Sequence, residues 1–240
     1  MVSPWLHYEA YDIKFINNIV HDTNGAGFGV NGGYNILLAN NTLYRVGRNS
    51  HAIELVFGGR GCGGDASHLA QARINNLAGG WGRAVAEDSQ YYIPNKNIYI
   101  YNNIVYNPAP YRSEWSHFTT RGQTTPPSGT NAPTPCYGDD NIVIKGNILW
   151  NGPADLDLGV GESRLNEATI RAENQINTIE PQLTNPAAGN FNPTGSSNVL
   201  SYPAVSIPSF SWSDAPSRPN PPAGTLSNSL RSSPSHAGAF

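Results

Sequence analysis

The chain has 240 residues, with 14 Lys and Arg against 17 Asp and Glu, a net charge of −3 and a pI near 6.0. That balance argues against a strongly basic nucleic-acid binder, and an aromatic content of 10% argues against charge-driven disorder. No stretch approaches the roughly 18 apolar residues of a membrane span, and 25 glycines, 19 prolines and 28 asparagines disfavour helices in a chain long enough for one domain.

The opening residues MVSPWLHYEA lack the apolar core of a signal peptide and run straight into patterned sequence. The expectation is a chain lacking N-terminal coils. An apolar alternation followed by asparagine then recurs. Its copies are Ile13–His21 (IKFINNIVH), Ile36–Tyr44 (ILLANNTLY), Ile98–Tyr106 (IYIYNNIVY) and Ile142–Trp150 (IVIKGNILW). A worn copy covers Arg73–Leu77 and a weaker one Glu173–Ile176. The marker asparagines Asn18, Asn41, Asn76, Asn103, Asn147 and Asn174 stand 23, 35, 27, 44 and 27 residues apart. Period-two alternation predicts strands, and asparagine suits the bend between two of them. Stacked at about 4.8 Å, such asparagines satisfy one another's amides along a buried file.

The copies INNIVHD, ANNTLYR, YNNIVYN and KGNILWN resemble the coils of right-handed parallel β-helix proteins of the pectin-lyase-like superfamily. The run Glu180–Phe191 and the ending Ala237–Phe240 are similar to the closing segments of such proteins. The resemblance implies an all-β, three-sheet solenoid over residues 1–200 and an irregular Pro/Ser-rich tail over 201–240 that packs on or caps it. The third sheet is expected from Gly27–Val30, His51–Phe57, Arg83–Glu87, Trp115–Phe118 and Asp155–Val160. Its outer column would hold Glu54, a residue of 83–87, Glu114 or His117, and Asp157. Insertions leave the coil at 58–71 and 108–139, each with one cysteine, so Cys62 and Cys136 form either a disulfide staple or two buried thiols.

In the lyases of that superfamily a groove lies along one parallel sheet. Acidic residues there hold Ca²⁺, and a cationic side chain removes the proton beside a sugar carboxylate. By that resemblance Glu54, Glu87, Asp88, Asp155 and Asp157 are candidate calcium ligands, and Arg83, Arg60 or Lys145 the base. His51, flanking the Gly-rich insertion, is a further candidate general base. Three residues after each marker stand His21, Tyr44, Tyr106 and Trp150, an outer column that is either a saccharide track or a covered aromatic ladder.

The resulting expectation is a polysaccharide-interacting protein, outside the cell or at its surface, with lyase-type cleavage of an acidic glycan, or a related glycoside hydrolase or epimerase reaction, as its enzymatic form. A non-catalytic carbohydrate-binding or adhesin-type module and a structural stalk are the alternatives. The sequence does not fix the oligomeric state.

Overall fold

The computed structural model describes residues 5–58, 93–125, 134–209 and 237–239. In chain order the elements are β1 (Trp5–Ile16), β2 (Ile19–His21), β3 (Phe28–Ala39), β4 (Thr42–Tyr44), β5 (Ile53–Val56), β6 (Asn95–Tyr101), β7 (Ile104–Asn107) and β8 (Phe118–Thr120). They continue with β9 (Gln123–Thr124), β10 (Cys136–Tyr137), β11 (Asp140–Lys145), β12 (Ile148–Asn151), helix α1 (Glu167–Glu173), β13 (Gln175–Ile176), β14 (Leu183–Asn185) and β15 (Asn190–Pro193). The chain is dominated by β structure, and two parallel sheets carry the fold. One has the order β11-β6-β3-β5-β8 with β1 on the other side of β3, and the second runs β13-β12-β7-β4-β2.

Equivalent side chains of the repeat lie in files. On the first sheet Ile13, Ile36, Ile98 and Ile142 are in register, as are Phe15, Leu38, Ile100 and Ile144. On the second, Val20, Leu43, Val105, Leu149 and Ile176 are in register. All these residues share one core cluster, which period-two alternation turns inward from both sheets.

Three asparagine files hold the bends. In the marker file Asn18 donates to Asn41, Asn41 to Asn103, Asn103 to Asn147 and Asn147 to Asn174, at 2.8–3.2 Å. The residue before each of the first four of these markers takes the left-handed bend: Asn17, Asn40 and Asn102 at φ 53–59°, and Gly146 at 69°. A second file, six residues before each of the same four markers, links Asn141 to Asn97, Asn97 to Asn35 and Asn35 to Asp12. Its four members are also left-handed, which Asn and Asp tolerate best among residues with a side chain. A third file joins Asn107 to Asn151, whose backbone N–H donates to Asn177.

The structure corrects three expectations. The first and third sheets are one, because β3 runs unbroken: its first half pairs with β5 and its second half with β6. Gly32, at φ 75°, sits where the neighbour changes, and a Cβ there would lie 2.6 Å from the side chain of Ile93. The second correction is that the Asn41 and Asn103 levels are direct neighbours. Asn41 bonds directly to Asn103, β4 is paired on both edges by β2 and β7, and β5 by β3 and β8. Residues 73–77 and 83–87 themselves lie outside the described residues. The last correction is a helix, α1, at the end of the stack. Asn166 caps it, accepting from Thr169 N at 2.9 Å, Glu167 pairs with Arg171, and Ile170 enters the core.

The C-terminal segment lies along the outer face of the second sheet. The β14–β15 hairpin places Leu183 and Phe191 on Tyr44 and Tyr106. Val199 and Ala237 cover Ile104 and Ile148. Val205 exchanges two 2.9 Å hydrogen bonds with the Asn102 amide, and Ala239 N donates to Thr42 Oγ1 at 2.9 Å. No described helix is long and apolar enough to cross a membrane.

Candidate functional site

Two loops stack where the second sheet returns to the first. Residues 45–52 join β4 to β5, and 108–117 join β7 to β8 one level up. The upper loop is anchored on the lower one: Glu114 N–H donates to Gly47 O at 3.0 Å and to Ser50 O at 2.9 Å. Gly47 turns at φ 76°, where a Cβ would stand 2.5 Å from His51 O. Ser113, fully buried, fixes the loop from inside through its N–H to Asn151 Oδ1 at 2.8 Å.

Between these loops opens a cleft of about 430 Å³ lined by Arg48, Asn49, Pro110, Tyr111, Arg112 and Glu114. Arg48 and Arg112 are exposed and have no ion-pair partner among the described residues. Arg45 is fixed beside them, 2.5 Å from Asp22 and with its guanidinium 4.9 Å from the Tyr44 ring and 5.0 Å from the Tyr111 ring. Tyr111 and Trp115 are among the few large apolar side chains left exposed, Trp115 at 57%. The cleft thus offers two guanidiniums without ion-pair partners among the described residues, one carboxylate and one flat ring.

Trp115 leads to His51. Their rings meet edge to face at 4.9 Å, and His51 Nδ1 lies 2.5 Å from Ser116 Oγ. Ser116 in turn donates to the Phe118 carbonyl. Desolvation, then the positive charge of Arg121, lower the pKa of His51, so its imidazole is neutral at pH 7. Three residues on, Glu54 sits in register between Gly29 and Thr119 and accepts a hydrogen bond from Ser50. Glu54 is buried, and desolvation raises its pKa despite the Ser50 hydroxyl.

Comparison with protein-family models, curated proteins and solved structures returns no match.

The sequence-expected residues divide by place. His51 and Glu54 fall together at this corner. The outer neighbour of Glu54 is Thr119, not Glu114 or His117: Glu114 lines the cleft, and His117 is fully buried beside Ala52, with neither ring nitrogen hydrogen-bonded. Desolvation, then Arg171, push the pKa of His117 down to about 4. Asp157 is exposed on the loop after β12, and its carboxylate accepts from Gly159 N at 2.8 Å. No three His, Cys, Asp or Glu side chains converge among the described residues. Glu54, buried and already hydrogen-bonded, and Asp157, turned to its own loop, are not brought together with a third such ligand among the described residues, and no chemical step is derived through that ion. Arg60, Arg83, Glu87, Asp88 and Cys62 lie outside the described residues; Cys136, the expected partner of Cys62, is buried on β10.

His21, Tyr44, Tyr106 and Trp150 do align in one file. The hairpin covers much of it. Phe191 lies 5.9 Å from the His21 ring and 5.6 Å from that of Tyr44, and the Tyr106 hydroxyl donates to Glu180 at 3.1 Å. Tyr44 is buried, so the file packs as a covered ladder over these levels. Sequence reading missed Arg48, Tyr111 and Arg112. They stand 7, 8 and 9 residues after their marker asparagines, Asn41 and Asn103, in loops of unlike sequence, so no fixed offset points to them.

Proposed function

We propose that the chain is a right-handed parallel β-helix of the pectin-lyase-like kind that binds an acidic polysaccharide at the corner cleft. The in-register parallel levels and asparagine files support the architecture. One observation carries the function: Arg48 and Arg112, without ion-pair partners among the described residues, face a cleft that also presents the exposed Tyr111 ring. Guanidinium forks match carboxylates in two-point geometry, and flat rings pack on sugar faces. A neutral glycan would leave the two charges without counterparts, so the acidic class fits best. The natural setting of such a ligand is extracellular or the cell surface.

Lyase-type cleavage is the enzymatic form of this proposal. The second reading is a binding module without catalysis, favoured by the lack of a converging acidic cluster among the described residues. Titration with polygalacturonate, alginate and neutral dextran, while following the ultraviolet absorbance of unsaturated uronates, separates the two. Binding of either polyuronate but not dextran supports the acidic-glycan reading, and equal binding of dextran refutes it. Repeating the assay with a chelator tests a calcium requirement.

A further inference from the structure

We propose that the outer face of the second sheet carries a separate subsite for a neutral sugar, built on Tyr106, Glu180 and Gln182. It lies apart from the corner cleft and does not rest on the acidic-glycan reading. The hairpin that buries Tyr44 leaves Tyr106 only half-buried. Tyr106 stands at the wall of a pocket of about 400 Å³, which Glu180, Gln182, Leu183, Pro186 and Asn198 also line.

The polar groups of this pocket are held in place by the protein itself. The Tyr106 ring packs 5.7 Å from that of Tyr44, and its hydroxyl donates to Glu180 Oε1 at 3.1 Å. Gln182 and Asn198 clasp each other: Gln182 N–H donates to Asn198 Oδ1 and Asn198 N–H to Gln182 Oε1, both at 3.1 Å. Asn198 Nδ2 donates to the Glu180 carbonyl at 2.7 Å. Buried Ser197 and fully buried Val199 hold Asn198 from either side. Groups fixed in this way lose little freedom when a ligand arrives.

Two groups are left over. Among the described residues Glu180 Oε2 accepts no hydrogen bond and Gln182 Nε2 donates none. The carboxylate oxygen calls for a donor and the amide nitrogen for an acceptor. A pair of sugar hydroxyls supplies both. An ammonium ligand would satisfy the carboxylate and leave the amide without an acceptor. A uronate would meet the amide but set its own charge against Glu180, and no Lys, Arg or His stands among the described lining residues to offset it. The Tyr106 ring, Leu183 and Pro186 give the pocket an apolar wall for the C–H face of a pyranose, in the usual mixture of apolar lining and a few polar anchors.

The test uses the full chain with the neutral oligosaccharides cellohexaose and mannohexaose, and with oligogalacturonate and choline as acidic and cationic arms. In ¹H–¹⁵N correlation spectra either neutral oligomer should shift the Gln182 side-chain amide and the Asn198 backbone amide. Because these signals report this pocket alone, a neutral sugar bound here is told apart from neutral glycan at the corner cleft, the outcome that refutes the acidic-glycan reading. Glu180→Gln keeps an acceptor for the Tyr106 hydroxyl, and Gln182→Glu keeps the Asn198 clasp while removing the free donor. Both residues are exposed, so neither substitution disturbs the core. Each should weaken binding of the neutral oligomers roughly 10-fold, and the Arg48→Gln/Arg112→Gln variant should bind them like the wild type. The absence of any shift with both oligomers overturns the subsite, and so does a loss of neutral binding in the arginine variant, which would place the sugar in the corner cleft. Unchanged affinity in both Glu180→Gln and Gln182→Glu overturns the roles given to the two leftover groups. Choline or oligogalacturonate moving the Gln182 and Asn198 signals in place of the neutral sugars overturns the ligand class.

Discussion

Replacing Asn103 by alanine removes the centre of the marker file. Its Oδ1 accepts from Asn41 N at 3.0 Å and Asn41 Nδ2 at 2.9 Å, and its Nδ2 donates to Leu38 O and Asn147 Oδ1, both at 2.9 Å. Asn103 is fully buried, so water does not replace these partners. Asn147 Oδ1 keeps the backbone N–H of residue 103, and the Asn41 amide keeps Phe15 O. The Asn41 backbone N–H is left without an acceptor. One stranded buried donor costs about 1–3 kcal/mol and three further lost bonds about 0.5–1.5 each, so Asn103→Ala should cost about 2.5–7.5 kcal/mol. That is a large part of a total stability of about 5–15 kcal/mol. Asn18, at the end of the file, donates only to Ile16 O and Asn41 Oδ1 and is partly exposed, so Asn18→Ala should cost about 1 kcal/mol. Urea unfolding followed by far-ultraviolet circular dichroism compares the two. Equal costs would refute the claim that the file is a chain of mutually dependent buried bonds.

Other expectations follow from single residues. His117 has its pKa lowered from 6.5 to about 4 by desolvation and then Arg171, so the unfolded chain binds a proton that the native one does not. Stability is full above about pH 6.5 and falls by about 3 kcal/mol as pH drops through that window; His117→Leu should abolish this loss in denaturation curves at pH 7 and pH 4. Glu54 has the opposite sign. Desolvation raises its folded pKa, so it favours folding below its ordinary value and loses that contribution as pH rises. Glu54→Gln should therefore be more stable than wild type at pH 8 and little changed at pH 4 by the same measurement. Phe191→Ala should cost about 3 kcal/mol by uncovering the Tyr44–Tyr106 contact, read from thermal unfolding and near-ultraviolet dichroism.

What was legible in the sequence was what repeats at every level. The marker file requires asparagine at the same place in each level, so Asn18, Asn41, Asn103, Asn147 and Asn174 announced their alignment. The aromatic file followed from its fixed offset of three. The second file, Asp12, Asn35, Asn97 and Asn141, had an equally regular offset but is hidden among alternating apolar residues. The continuity of β3 was not legible, because Asn31-Gly32-Gly33 reads as a turn. Gly32 instead carries the strand past the point where its neighbour changes from β5 to β6. The cleft was invisible for a related reason: Arg48 and Arg112 occupy loops of unlike sequence that only the stacking of levels brings together. Their nearness is a property of register, not of local pattern.

The most direct test of the account is a calorimetric titration of the wild type and the Arg48→Gln/Arg112→Gln double variant with oligogalacturonate and with its methyl ester. The account predicts that the wild type binds the free acid at least tenfold more tightly than the ester, as loss of one charge-assisted pair implies, and that the variant no longer distinguishes them. Equal affinity of the wild type for acid and ester, or a variant that keeps the preference, would contradict it.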